Sequence, residues 1–222
     1  MKFRVLVVGG TGQVGSTLVR ALLACSDCLE VVMVNRRVVT LDDHTGLRQV
    51  VLDVGAATVE SDIQSLAASC RAQGDPVFAA SCIGIGSGSQ KWSEEEIRKL
   101  EIGLVGSFAR GCFAAGIERF GLLSAAGSSA KSRIRYARIM GQKEDTVRDV
   151  GFQYLAIFRP GIIAGNVHTP AVLAALGRLI PGPIGTIDQD VIGRAFVAEF
   201  LHGSSGTTIL DNAAMKARSR GL

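Results

Sequence analysis

The chain of 222 residues is expected to fold as one doubly wound α/β domain, residues 1–222, around a mostly parallel sheet in the order 3-2-1-4-5-6. Three observations predict this. An apolar run at Val5-Leu6-Val7-Val8 ends in closely spaced glycines and passes at once into an apolar helical pattern at Val14, Leu18, Val19, Leu22 and Leu23. Strand-like and helix-like segments then alternate, which requires crossover connections and hence a parallel sheet covered on both faces. The composition, 47% hydrophobic and 20% charged, is that of a compact chain able to bury a sizeable core.

The first strand–turn–helix carries Gly9-Gly10-Thr11-Gly12-Gln13-Val14-Gly15. Gly9 lets the chain reverse at the strand end, Gly12 removes the side chain that would keep a diphosphate off the backbone, and Gly15 lets helix and strand pack closely. Unpaired amides of the first helical turn then face an anion, with the macrodipole adding favourable potential. Glycines also mark plain turns; here they sit in the strand–turn–helix context that nucleotide binding requires. The cofactor contacts expected from this stretch are Gly9, Thr11, Gly12, Gln13, Val14 and Gly15.

Residues 30–34 form a second buried strand, ending in Asn35-Arg36-Arg37. At this corner of a dinucleotide fold an acid would hydrogen-bond a free ribose 2′-hydroxyl, whereas arginine pairs with a 2′-phosphate. With no acid and two arginines, Arg36 and Arg37, the expected cofactor is NADP(H); two solvated surface arginines are the plain alternative. Residues 48–52 alternate into a third strand followed by Asp53 and Val54, where Asp53 would accept from an adenine amino group or simply form a turn.

A helix at 61–71, the break Gly74-Asp75-Pro76 and a fourth strand at 77–83 follow, then the glycine-rich loop Gly84-Ile85-Gly86-Ser87-Gly88-Ser89, a substrate-pocket border or a disordered connection. Ser93-Glu94-Glu95-Glu96 is a capping box opening a long helix to about residue 115. Its Gly103 and Gly106 each cost about 1 kcal/mol against alanine. That cost points to close packing against the sheet or a second copy, so a homodimer is compatible with the sequence. A fifth strand at 117–123 ends at Ser124, a small-residue loop leads to a helix at 133–150, and a sixth strand at 154–158 halts at Arg159-Pro160-Gly161. The remainder, from about residue 165 to 222, is a smaller irregular part: a helix near 170–179, the Pro181-Gly182-Pro183 break, a helix at 189–201 and a strand at 207–210. It is expected to fold over the carboxyl edge of the sheet as a small substrate cap.

The net charge of +4 and pI near 8.9 suit anionic small molecules and fall short of a nucleic-acid signature. Lys131, Arg133, Arg135, Arg138 and Lys143, with the tail Lys216, Arg218 and Arg220, supply much of the excess as solvated faces. Five cysteines argue for reduced thiols. Cys25 and Cys28 close a helix instead of opening one, so they read as packing residues; Cys82 ends a strand where the cofactor is expected. No apolar run approaches the roughly 18 residues of a membrane span. Met1-Lys2-Phe3-Arg4 leads directly into the first strand, which leaves no room for a leader and predicts a cytoplasmic protein.

Together Gly9-Gly10-Thr11-Gly12-Gln13-Val14-Gly15, Arg36-Arg37, Leu122-Leu123-Ser124, Tyr136 and Phe158-Arg159-Pro160-Gly161 resemble the atypical short-chain dehydrogenase/reductases, which have the Rossmann fold. Within them the likeness is greatest to the Tat-interacting-protein, oxidoreductase-like group and the related NAD(P)H-binding, NmrA-like proteins. The resemblance runs from about Val5 to Ile163. It implies that Cys82, Ile83 and Gly84, with Pro160, Gly161 and Ile162, line the nicotinamide half of the cofactor. It also implies that Ser124 and Tyr136 occupy the places of a catalytic serine and tyrosine, Ser124 donating to a substrate carbonyl and Tyr136 passing a proton. Their structural alternatives are a strand-end cap and a helix-face tyrosine. A phenol titrates near pH 10, so neutral-pH transfer needs a nearby cation. The family places a lysine four residues after the tyrosine, where this chain has Met140; Lys143, seven residues on, lies about 10 Å along the axis and would partly reach back.

Two functions from different classes therefore stand side by side: an NADPH-dependent reductase of a small carbonyl substrate, and a catalytically weak NADP(H)-binding regulatory or scaffold protein with a protein partner. A nucleotide-sugar epimerase or dehydratase is disfavoured by the short C-terminal part.

Overall fold

The computed structural model describes residues 1–40, 44–85, 91–164 and 184–221. Its main sheet has seven strands: β1 (Phe3–Val8), β2 (Cys28–Asn35), β3 (Leu47–Val51), β4 (Val77–Ser81), β5 (Arg119–Leu123), β6 (Tyr154–Phe158) and, after a detour, β9 (Gly206–Leu210). They run in the order β3-β2-β1-β4-β5-β6-β9, and every registered pair is parallel. The expected order 3-2-1-4-5-6 is thus present, with β9 added at the edge. Two further strands, β7 (Ile162–Ala164) and β8 (Thr186–Asp188), form a small parallel pair of their own.

The continuous apolar run of β1 follows from burial on both faces. Val5 and Val7 enter one core with Leu18 and Leu22 of α1 (Gln13–Leu23) and Phe196 and Phe200 of α6 (Gln189–His202). Leu6 and Val8 enter the other, with Ile63 of α2 (Val59–Arg71), Phe108 of α4 (Val105–Ala114) and Val147 of α5 (Arg135–Arg148). Alternate side chains of one strand therefore serve two layers, the pattern of a sheet wound on both sides.

The long helix expected from residue 93 is divided into α3 (Glu94–Arg98), a π-helical turn (Lys99–Leu104) and α4. Its capping box is formed: Glu96 N donates to Ser93 Oγ at 3.1 Å and Ser93 N to Glu96 Oε2 at 2.8 Å. Close packing within the chain is found at Gly106 against Thr146 of α5, and at the unforeseen Gly111 against Glu60 of α2, where an added Cβ would lie 2.6 Å from the carbonyl oxygen. At Gly103 it would meet only Arg98 O, at 3.9 Å, so the close packing expected there is not made among the described residues. Much of the segment expected to cap the sheet belongs to the body instead. α6 packs on α1, β9 extends the sheet, and α7 (Asn212–Arg218) follows it. The helix near 170–179, the break at 181–183 and the loop at 86–89 lie outside the described residues. No helix among those described is long and apolar enough to cross a membrane.

Candidate functional site: the carboxyl edge of β1, β2 and β4

At the end of β1 the backbone of Gly9 takes a φ of +78°, and an added Cβ would fall 2.7 Å from the main chain of Cys82 and Ile83. Both facts require glycine there. Gly12 N donates to Gly9 O at 3.0 Å and Ser16 N to Gly12 O at 2.8 Å, closing the turn into α1. Gly15 sits against the same carbonyl, which a Cβ would approach to 2.0 Å. Gly15 thus lets the first turn of α1 lie close against the main chain that leaves β1. α1 begins with no side-chain cap and no acid in its first turn, Val14 is buried in the core, and Thr11 and Gly12 are exposed. Gln13 Nε2 is buried without a hydrogen-bond partner among the described residues. Beyond these bonds the first-turn amides of α1 have no intrahelical acceptor and no side-chain cap, the electrostatic character of an anion site.

Arg36 and Arg37, just beyond β2, are exposed and make no ion pair among the described residues. The loop that carries them is held from behind by Gln49 of β3. Its Oε1 accepts from Asn35 Nδ2 at 2.9 Å and Val39 N at 3.1 Å, and its Nε2 donates to Val39 O at 2.8 Å. Asp53 forms a turn, accepting from Gly55 N at 2.9 Å, and Val54 packs partly into the core.

Cys82 and Ile83 are buried beside Gly9, and Gly84 is exposed. Burial pushes the Cys82 thiol up to about 12, the positive charge of Lys143 partly opposing it. At β6, Ala126 N donates to Pro160 O at 2.8 Å, Gly161 N to Asn212 Oδ1 at 3.0 Å and Ile162 N to Gly185 O at 3.1 Å. These main-chain groups of Pro160, Gly161 and Ile162 are engaged by the chain itself; Asn212, which also donates to Gly185 O at 2.6 Å, ties them to the small sheet.

Ser124 is buried, and its Oγ donates to Glu144 Oε1 at 2.6 Å with Ser128 Oγ 3.1 Å away. Glu144 is fully buried and paired with Arg159, through Nε at 2.8 Å and Nη2 at 2.5 Å, and with Arg148 at 3.0 Å. The Ser124 proton is therefore committed to a carboxylate, and donation to a substrate carbonyl requires that bond to exchange. Tyr136 stands in the first turn of α5. Burial, and then the negative charge of Glu101, push its phenol above the usual range. Met140, in the family's lysine position, is buried in the core. Lys143 does not supply the missing cation: its Nζ bonds Glu101 Oε2 at 2.8 Å and Ile83 O at 3.0 Å. The expectation that it reaches back toward Tyr136 is corrected by that pairing, and the charge acting on the phenol has the opposite sign.

Four residues with structural weight here were not foreseen: Gln49, Glu101, Glu144 and Asn212. A signal for two of them was present. Glu101 lies four residues from both Ile97 and Val105, and Glu144 four from Met140, so each occupies an apolar face where only a paired charge is tolerated.

No family model matches the chain. Among curated proteins it is similar to protein fmp52-1, mitochondrial, of Aspergillus terreus, 30% identical over 213 residues that cover 91% of this chain and 89% of that protein. It is also similar to protein fmp52, mitochondrial, of Aspergillus niger, 31% identical over 203 residues, 87% of this chain and 85% of that protein. The fold is shared with the Bordetella bronchiseptica enzyme WbmH in complex with NAD+, at TM-score 0.70 and 17% identity over 99% of this chain and 79% of that one. The UDP-glucose 4-epimerase of Thermotoga maritima with UDP-glucose gives 0.69 and 13% over 94% and 76%. The structural likenesses show the fold, a Rossmann-like α/β sheet. The relatives' names overturn the cytoplasmic expectation, which rested on Met1-Lys2-Phe3-Arg4 leading directly into the first strand; the nearness of a strand to the first residue carries no information on compartment. With 30% and 31% identity across most of both chains, the protein belongs to the Fmp52 family.

Proposed function

We propose that this is an NADP(H)-binding, oxidoreductase-like protein, with the dinucleotide seated across the carboxyl edge of β1, β2 and β4. The observation that carries the reading is the uncapped start of α1 beside exposed Thr11 and Gly12, where first-turn amides left without an intrahelical acceptor would serve as donors for a diphosphate. Arg36 and Arg37, exposed and held in place by the Gln49 clamp, would take a 2′-phosphate. The NAD+ bound by the structurally similar WbmH supports a nicotinamide dinucleotide; the choice of NADP(H) rests on the arginines. The names of the Fmp52 relatives support a mitochondrial setting, and the quoted motifs support kinship with the Tat-interacting-protein and NmrA-like groups.

A bound nicotinamide supplies a hydride donor or acceptor. Tyr136 would hold the proton that a substrate carbonyl oxygen takes, and Ser124, released from Glu144, would orient that oxygen. A second reading, weak turnover with a regulatory role, is favoured by the surroundings of Tyr136: Met140 in place of a cation, Lys143 taken by Glu101, and the phenol held protonated.

The test is calorimetry of NADPH and NADH with wild type and Arg36→Ala/Arg37→Ala, followed by NADPH oxidation over a panel of carbonyl compounds. The double substitution should weaken NADPH on the order of 10- to 100-fold and leave NADH nearly unchanged. Equal losses for the two cofactors would show that the arginines do not read the phosphate. Slow oxidation that disappears in Tyr136→Phe assigns Tyr136 to the reaction, while rapid wild-type turnover removes the regulatory reading.

A further inference from the structure

β4 leaves the sheet at Ser81, its last residue paired to β5. Past that point Ile83 and Ile85 pair with no strand among the described residues, and two side chains bond their main chain instead. Lys143 Nζ donates to Ile83 O at 3.0 Å and to Glu101 Oε2 at 2.8 Å, and Glu101 Oε1 accepts from Ile85 N at 2.9 Å. Carbonyl, ammonium, carboxylate and amide form one closed chain across two residues of main chain. Lys143 and Glu101 are 1% and 0% exposed, and Glu101 is delivered by the π-helical turn between α3 and α4. Ile83 N is also among the atoms that a Cβ on Gly9 would strike, at 2.7 Å. The segment held by the pair is therefore the one that presses on the glycine turn.

Two buried charges are a poor way to gain stability, because apolar residues of similar volume commonly serve as well or better. What the pair supplies is position. We propose that Glu101 and Lys143 are positioning residues of the crevice, fixing the main chain at Ile83–Ile85 and thereby the surface against which the nicotinamide half of a dinucleotide rests. The inference rests on the cofactor reading above, and it assigns to Lys143 a task other than assisting Tyr136. The same carboxylate that steadies Ile85 adds, after burial, to the disfavouring of the Tyr136 phenolate.

The test uses Glu101→Leu/Lys143→Met, which removes both charges and the acceptor for Ile85 N at similar volume, with amide hydrogen exchange of the cofactor-free protein and NADPH calorimetry. The double variant should melt close to wild type, exchange the Ile85 amide on the order of tenfold faster while β1 amides are unchanged, and bind NADPH about tenfold more weakly. A folded variant with wild-type Ile85 protection, or with faster exchange but wild-type NADPH affinity, overturns the proposal. If the double variant does not fold, Glu101→Asp decides: it keeps both charges but shortens the reach to Ile85 N, and unchanged exchange there overturns the proposal. Exchange is read without cofactor. A wild type that binds no dinucleotide while Ile85 still responds to substitution therefore refutes the cofactor reading and leaves the hold on the main chain supported.

Discussion

Replacing Gly12 by alanine should separate ligand binding from folding, and replacing Gly15 should not. The backbone of Gly12 lies at φ −75° and ψ 172°, an extended conformation open to any residue. An added Cβ meets only Gly9 O, at 3.2 Å, so the carbonyl has to yield by a few tenths of an ångström. Loss of glycine's freedom in the unfolded chain offsets that with about 0.4–1 kcal/mol, and Gly12→Ala should fold within about 1 kcal/mol of wild type. At Gly15 the same methyl would stand 2.0 Å from Gly9 O and 2.8 Å from Gly9 C, main-chain atoms that cannot turn aside. That overpacking should cost about 3 kcal/mol or more. For the ligand the order reverses in interest. Gly12 is exposed where a diphosphate would meet the amides of α1, and each charge-assisted hydrogen bond lost there costs about 1.5–3 kcal/mol. Gly12→Ala should therefore weaken NADPH on the order of 10²-fold. Urea unfolding gives the first quantity and calorimetry the second. Wild-type affinity in a well-folded Gly12→Ala protein would mean the phosphates do not approach α1 at that residue.

Two other substitutions probe the buried chemistry. The Cys82 thiol ionises near 9.0 when unfolded and is pushed up to about 12 in the fold, so the neutral form is favoured there and its contribution is intact below pH 9. As pH rises from 9 toward 12 that contribution falls by about 1.4 kcal/mol per unit. Cys82→Ala should lose stability less steeply than wild type over this window in urea melts, and parallel slopes would refute the assignment. Arg159→Met leaves the fully buried Glu144 with Arg148 alone among its bonded cations and should cost about 2–4 kcal/mol by chemical denaturation. An unchanged midpoint would mean that Arg148 suffices.

The fold was legible because its two signals are redundant: apolar runs buried on both faces mark strands, and each is followed by a helical period. β7 and β8, three residues apiece, are too short to show alternation and were not foreseen. At the site, the glycine turn was legible because a backbone requirement is written directly as a residue type. The ion pairs were not. Lys143, read with its basic neighbours as part of a solvated face, is buried between Ile139 and Val147, each four residues away; even where that spacing is noticed, it gives reach and not partner. Its partner comes from an element 42 residues away in sequence, and the inward turn of Glu101 had been read only as part of an unbroken helix. Ser124 illustrates the same gap: its position at a strand end was visible, its attachment to Glu144 was not.

The Asn212 carboxamide bridges the Gly161 amide and the Gly185 carbonyl, groups that otherwise face each other across the exit of β6. A ribosome delivers the chain from its N-terminus, so β1 through β6 can assemble while this bridge is still missing. The wall of the crevice at Gly161 is thus the last part to set, and it waits for a residue 51 positions downstream. A nascent chain stalled before residue 212 would present the glycine turn and the arginines with one side of the crevice unlatched.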